Sequence, residues 1–336
     1  MSANRTAAVF GAYGHTGRFV VAELARRGWS PILCGRDARK LEALGRDYPA
    51  LPLRIAPVDD PAALDRALDG AVAVINCAGP FLDTATPVIE AALRARIAYL
   101  DVSAEQQSVL DTFERHADAA REAGIVVLPG MAFYGGLADL LATAATGDWP
   151  QVETIDVAVA LDRWHPTAGT RLTGQRNHYR RRVVSDGRLA DLANPPPLRE
   201  WQFPAPFGTQ AMVALPFSET ITISRHLRVR ELHSHLNRTA IEEVRSADTP
   251  APVAVDAAGR SAQRFAIEVR VTHAGQARRA AATGQDIYAI TAPLVVEALE
   301  RIADGRGLGT GALAAGEAFD AEDFLTSLSP RVLERY

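Results

Sequence analysis

The chain has 336 residues, a formal net charge of −4 and a hydrophobic share of 48%. That length makes two domains the natural expectation, with apolar material enough for a sizeable core. The charge balance gives no footprint for nucleic acid, no apolar run reaches the about 18 residues of a membrane span, and the polar start Met1–Thr6 does not read as a secretory signal.

The first 130 or so residues alternate short β-branched runs with longer amphipathic ones, the pattern of βαβ units. Ala7–Gly11 reads as the first strand. His15–Arg27 reads as a helix with Phe19, Val20 and Leu24 on one face, closed by Gly28. Pro31–Gly35 is a second strand, and Asp37 is placed to cap a helix carrying Leu41 and Leu44. Leu53–Val58 is a third strand, after which Pro61 opens a helix with Leu64 and Leu68. Val72–Cys77 is nearly all apolar, as a central strand covered on both faces should be. A helix over Pro87–Ala95, a strand over Ala98–Val102, a long helix through Ala104–Ala123 and a strand at Ile125–Leu128 complete a doubly wound parallel sheet.

After Pro129-Gly130 the texture changes. Ile155–Leu161, Thr220–Ser224, Leu227–Leu236, Phe265–Thr272 and Gln276–Thr283 alternate with period two and read as strands, with His273-Ala274-Gly275 as the turn between the last two. Asn194–Pro206 is proline-rich and reads as irregular. Thr291–Ile302 is an amphipathic helix ended by Asp304-Gly305, expected to pack back onto the first domain. The expected class is therefore α/β: a Rossmann-type doubly wound parallel sheet plus a second α+β domain with a mixed or antiparallel sheet. The expected boundaries are 1–130, completed by the helix at about 291–303, then 131–290, then a C-terminal extension over 304–336. The two cysteines, Cys34 and Cys77, end apolar runs, which fits buried thiols in a cytoplasmic protein rather than a disulfide framework.

The chemistry begins at Gly11-Ala12-Tyr13-Gly14-His15-Thr16-Gly17, between the first strand and the first helix. Glycines there permit a tight turn, close backbone approach to a pyrophosphate and helix–strand contact, while the helix N-terminus attracts the anion. The spacing is G-x-x-G-x-x-G. At the end of the second strand an NAD site carries Asp or Glu for the ribose hydroxyls. This chain has Gly35-Arg36 instead, with Lys40 one helical turn later, and a guanidinium can grip a 2′-phosphate bidentately. That points to NADP(H). Asp59 beyond the third strand, Cys77-Ala78-Gly79-Pro80-Phe81 after the fourth and Ser103 after the fifth lie at the carboxyl ends of the strands, where ligands of open α/β sheets sit.

The runs GAYGHTGRFVVAELARRG, LCGRDARKLEAL, INCAGPF and AYLDVSAEQ, followed by LPGMAFYGGLADLLA, resemble the saccharopine dehydrogenase-like oxidoreductases, which include saccharopine reductases and trans-acting enoyl reductases. The resemblance runs through about the first 140 residues. It implies a Rossmann domain completed by a late helix, a mixed sheet for substrate and dimer contacts, and use of NADP(H). Where the family carries a glycine-glutamate pair after Tyr-x-Asp, this chain has Ser103-Ala104-Glu105. From Gln151 onward no diagnostic motif occurs, so the substrate is not inherited.

Lys40 is the only lysine among 36 basic side chains. A tyrosine acid with a lysine four residues on is therefore excluded, as is a Schiff-base lysine in the second domain. The proton donor must come from His, Tyr, Asp, Glu or Arg, or from water. Tyr99, Asp101 and Tyr134 are candidates at the carboxyl edge of the sheet, with Phe133 as a substrate contact. Further on, His165, Arg171, Arg176, His178, Tyr179 and Arg180 form a basic, aromatic segment. It reads either as a solvated loop or as an anion-binding stretch in which Arg171, Arg176 and Arg180 hold a carboxylate and His178 or Tyr179 gives the proton. His233 and His235 share a strand face without a nearby third ligand, so no metal is expected. The expected function is an NADPH-dependent reductase acting on a C=N, C=C or C=O bond of a small anionic metabolite, as a cytoplasmic homodimer. The alternative is a redox-inactive NADP(H)-sensing or scaffold protein on the same fold.

Overall fold

The computed structural model describes residues 5–330 and 332–335. Strand and helix alternate as the apolar periodicity requires: β1 (Thr6–Phe10), α1 (His15–Arg26), β2 (Ser30–Gly35), α2 (Ala38–Gly45), β3 (Leu53–Ile55), α3 (Pro61–Leu68), β4 (Ala73–Asn76), α4 (Phe81–Ala95), β5 (Ala98–Asp101), α5 (Gln106–Ala123) and β6 (Val126–Leu128). The cap expected at Asp37 is in place, and α3 has one at Asp60. Asp37 accepts the amide of Lys40 at 3.1 Å, and Asp60 accepts that of Ala63 at 2.9 Å behind Pro61. α1 buries Val20, Val21 and Leu24 on one face. One correction concerns α4, which starts at Phe81 rather than at Pro87 and carries Pro87 inside it. The buried Glu105 carboxylate accepts the first amides, those of Phe81 at 2.8 Å and Leu82 at 3.2 Å, so no sequence-local cap marks the helix start.

By compactness the chain divides into two units, Met1–Ala132 with Thr291–Leu313, and Phe133–Ile290 with Ala314–Tyr336. In the first, seven strands run parallel in the order Gly311–Ala312, β6, β5, β4, β1, β2, β3. The order reverses between β1 and β4, which places a crevice outside their carboxyl ends. The helix Thr291–Ala303 packs on α1. Arg27 of the α1 C-cap donates to Glu297 and Glu300, each at 2.7 Å, and Trp29 donates to Glu300 at 3.2 Å.

The second unit begins with one π-helical turn, Phe133–Leu137, leading into α6 (Ala138–Thr146). Then follow β7 (Val152–Leu161), α7 (Ala168–Arg176), β8 (Arg182–Ser185), β9 (Arg188–Asp191), β10 (Leu198–Gln202), β11 (Thr209–Ala214), α8 (Glu219–His226), β12 (Val229–Asn237), α9 (Arg238–Arg245), β13 (Arg264–His273) and β14 (Gln276–Gln285). Among the described residues these eight strands and Glu334–Arg335, which pairs with β14, make a nine-stranded mixed sheet, in which β7 and β12 pair in parallel and the other pairings are antiparallel. The α/β class with a Rossmann-type sheet and a second, mixed sheet is thus as expected.

Two readings of this unit are overturned. Thr220–Ser224 is not a strand but the middle of α8. Its β-branched alternation favours extended backbone, yet Glu219–Ile223 are all buried, and burial on every side outweighs propensity. The proline-rich stretch Asn194–Pro206 is not irregular throughout: β10 lies within it and pairs with β11. Its Trp201 and Phe203 are held by burial against Ala158, Ala160, Met212 and Ala266. No described helix is long and apolar enough to cross a membrane.

Candidate functional site

The glycine turn is pinned to the end of β2, because the amides of Gly11 and Ala12 both donate to the carbonyl of Cys34, at 2.9 and 3.1 Å. Gly11 has φ +81°, and a Cβ there would lie 2.9 Å from Ala78 in the loop after β4. At Gly17 a Cβ would lie 2.3 Å from the carbonyl oxygen of Gly11. The turn, the helix and the neighbouring loop therefore meet as closely as backbone can. Gly14 is the N-cap of α1, and no side chain caps the helix. The first-turn amides and the dipole of α1 are thus presented at the crevice beside Gly14, His15 and Thr16, which is what a pyrophosphate needs.

Tyr13 leaves this turn and lays its ring over Gly35, where a Cβ would come within 2.5 Å of it. Beyond the ring lie Arg36 and Lys40, both exposed. The Lys40 ammonium sits 5.7 Å from the Tyr13 ring centre and 3.7 Å from Asp37. Arg36 makes no hydrogen bond or ion pair among the described residues, so its guanidinium is available to a phosphate. No carboxylate occupies the Arg36 position, where one would repel a 2′-phosphate. Asp59 is exposed beyond β3.

On the other side of the switch point a buried polar chain fixes the loop after β4. Asn76 accepts the amide of Ala78 at 3.0 Å and donates to Thr84 at 3.2 Å and to Tyr99 at 3.3 Å. Tyr99 donates to Asp101 at 2.9 Å, and Asp101 accepts the amides of Ser103 at 2.9 Å and Gly130 at 2.7 Å. Ser103 in turn accepts the amide of Glu105 at 3.1 Å. Burial pushes the Tyr99, Asp101 and Glu105 acids up. Tyr99 and Asp101 are wholly enclosed, so they shape the loops that carry Ala78, Gly79 and Gly130 and present no proton to solvent. Burial also raises the Cys77 thiol, and it raises Cys34 to about 12, so neither is a nucleophile at neutral pH. Sequence reasoning missed Asn76. The signal was there, an amide at the end of an otherwise apolar central strand.

The candidates of the second unit do not converge. Phe133 is buried against Phe265, with ring centres 4.8 Å apart, and takes part in packing. The Tyr134 ring stacks on Phe217 at 4.1 Å, and burial raises its phenol well above the ordinary value. Arg171 is occupied by the carbonyls of Ser246 at 3.1 Å and Thr249 at 2.5 Å. Arg176, His178, Tyr179 and Arg180 are exposed, and Arg180 pairs with Asp191 at 3.0 Å. His165 is half-buried. The rings of His233 and His235 are 6.4 Å apart, and among the described residues no group of three or more His, Cys, Asp or Glu is placed to hold a metal ion.

The first unit is thus a Rossmann-type domain whose glycine cradle and free arginine fit NADP(H). Residues 7–128 match the model of the saccharopine dehydrogenase NADP binding domain. The cofactor is NADP(H). Over 150 residues the chain is 31% identical to the saccharopine dehydrogenase-like oxidoreductases of Bos taurus and of Homo sapiens, a match covering 39% of this chain and 35% of each relative. The chain therefore spans about a third of the length of the curated relatives it matches. A solved structure of apo histidine-tagged saccharopine dehydrogenase (L-Glu forming) from Saccharomyces cerevisiae has a TM-score of 0.68 at 12% identity, covering 99% of both chains, and shares the fold.

Proposed function

We propose that the protein is an NADPH-dependent reductase acting on a C=N, C=C or C=O bond of a small anionic metabolite. The observation that carries this reading is the free Arg36 guanidinium beside the Tyr13–Gly35 contact, at the end of the strand where an NAD enzyme holds a carboxylate. When bound, NADPH supplies the hydride. The residues of the glycine turn bind its pyrophosphate, and Arg36 with Lys40 binds the 2′-phosphate. The loop Cys77–Phe81, fixed by Asn76, Glu105 and the Tyr99–Asp101 pair, backs the ribose and nicotinamide. In the second unit Arg176 and Arg180 are cations for a substrate carboxylate, and His178 is the exposed proton donor of the same segment.

Steady-state NADPH oxidation with carboxylate-bearing imines, enoyl compounds and ketones tests the reading. Turnover of one class is the expected result. Tight NADPH binding with no turnover of any class would support the redox-inactive sensor instead. We further propose a cytoplasmic homodimer formed through the broad sheet of the second unit, which light scattering at micromolar concentration would report.

A further inference from the structure

Outside the cofactor site, the second unit encloses a cavity of about 10 Å³, the size that holds one water molecule. Its floor is one face of the mixed sheet. Ser234 of β12 lies beside Val157 of β7, and Val159 lies beside Ile267 of β13. His235 belongs to the opposite face by strand alternation, alongside Ala158. Tyr134 and Glu219 complete the walls.

Three polar atoms in these walls have no hydrogen-bond partner among the described residues: the Tyr134 hydroxyl, the Ser234 hydroxyl and Oε2 of Glu219. Their residues are 9%, 3% and 2% exposed. The other Glu219 oxygen accepts the amide of Phe217 at 2.9 Å. The nearest cation, Arg181, does not pair with Glu219: it lies over the Phe217 ring at 4.6 Å and donates to the carbonyl of Pro216. Buried polar atoms are almost always satisfied, and three of them around a water-sized space meet the two to four contacts that an internal water takes.

We propose that Tyr134, Ser234 and Glu219 bind one internal water molecule, and that Glu219 stands there as the neutral acid and donates its proton to that water. The water accepts from the Glu219 carboxyl and the Tyr134 hydroxyl and donates to Ser234. A carboxylate here would be charged with no paired cation, which the neutral form avoids. Consistent with this, burial pushes Glu219 up to about 7, against the Phe217 amide, the neighbouring Ser234 hydroxyl, its own amide and the Arg181 charge, which pull it down. The other titratable groups on this side are Tyr134, also raised by burial, and Tyr288, whose charge would raise Tyr134 further.

The site is tested by a high-resolution crystal structure together with stability against pH for the wild type and Glu219→Gln. One ordered water within hydrogen-bond distance of all three side chains is expected. Because the folded acid keeps a proton that the unfolded chain loses, the wild type should lose on the order of a hundredfold in folding equilibrium, relative to Glu219→Gln, between about pH 5 and pH 8. Infrared titration of the wild type alone gives the same answer if the variant fails to fold: the carbonyl band of a buried carboxylic acid should be present below neutral pH and fade above it. A Glu219 carboxyl bonded directly to Tyr134 or Ser234 with no water would overturn the water site. Parallel pH profiles, or a carboxylate band already complete at about pH 5, would overturn the neutral acid.

Discussion

The Tyr13 ring rests on Gly35, and the contact is so close that even a methyl group at residue 35 would lie 2.5 Å from the ring. This joins the glycine turn after β1 to the end of β2 and sets the wall beside Arg36. Gly35→Val should push the ring aside, which costs about 1–3 kcal/mol where the ring is needed for binding. We expect NADPH to bind roughly tenfold more weakly, with the fold retained. Fluorescence titration of the cofactor measures it.

Gly17 meets backbone rather than a movable ring, since its Cβ would lie 2.3 Å from the Gly11 carbonyl. Gly17→Ala should therefore lower stability by about 1–3 kcal/mol in urea melts, as well as cofactor affinity. At Gly14 the same atom would be 3.1 Å away. Gly14→Ala should keep most of the stability and lose cofactor affinity, because it crowds the pyrophosphate rather than the turn.

In the second unit Asp139, wholly buried, accepts the amide of Gly316 at 3.0 Å and pairs with His226 at 2.7 Å. Burial opposes charge on His226, but the Asp139 carboxylate prevails and raises its pKa above the ordinary 6.5. A raised histidine contributes stability that is full below about 6.5 and is lost as pH rises through the higher folded value. Asp139→Ala should cost about 3–5 kcal/mol and remove that alkaline loss, as thermal melts across neutral pH would register.

Arg171 and Arg176 should part company in kinetics. Arg171 is engaged with two backbone carbonyls, so Arg171→Ala should lower stability by about 1.5–3 kcal/mol and leave turnover intact. Arg176→Ala should raise KM with kcat unchanged, the mark of lost uniform binding. His178→Ala should lower kcat by about 10²-fold if that ring is the general acid. Parent-like kinetics for both Arg176→Ala and His178→Ala would return the segment to a solvated surface.

The first unit was legible because its signals are local. Apolar period, Asp37 as a cap, and glycines at a strand–helix junction each depend on neighbours in sequence. What escaped depends on distant partners. The start of α4 is fixed by Glu105, which approaches from the loop after β5. Likewise α8 is a helix because burial encloses Glu219–Ile223, against the extended preference of Thr220, Ile221 and Thr222. Tyr99 and Asp101 were legible as polar residues at a strand end, but only their full burial shows them holding loops rather than meeting solvent.

The account turns on Arg36, which no described residue engages. Calorimetric titration of NADPH and NADH into the wild type and Arg36→Asp tests it most directly. A charge-assisted bidentate contact contributes about 1.5–3 kcal/mol, so the wild type should bind NADPH roughly ten- to hundredfold more tightly than NADH. In Arg36→Asp that ratio should shrink to near unity or invert. Equal affinity for the two cofactors in the wild type, or a ratio unmoved by Arg36→Asp, would contradict the assignment.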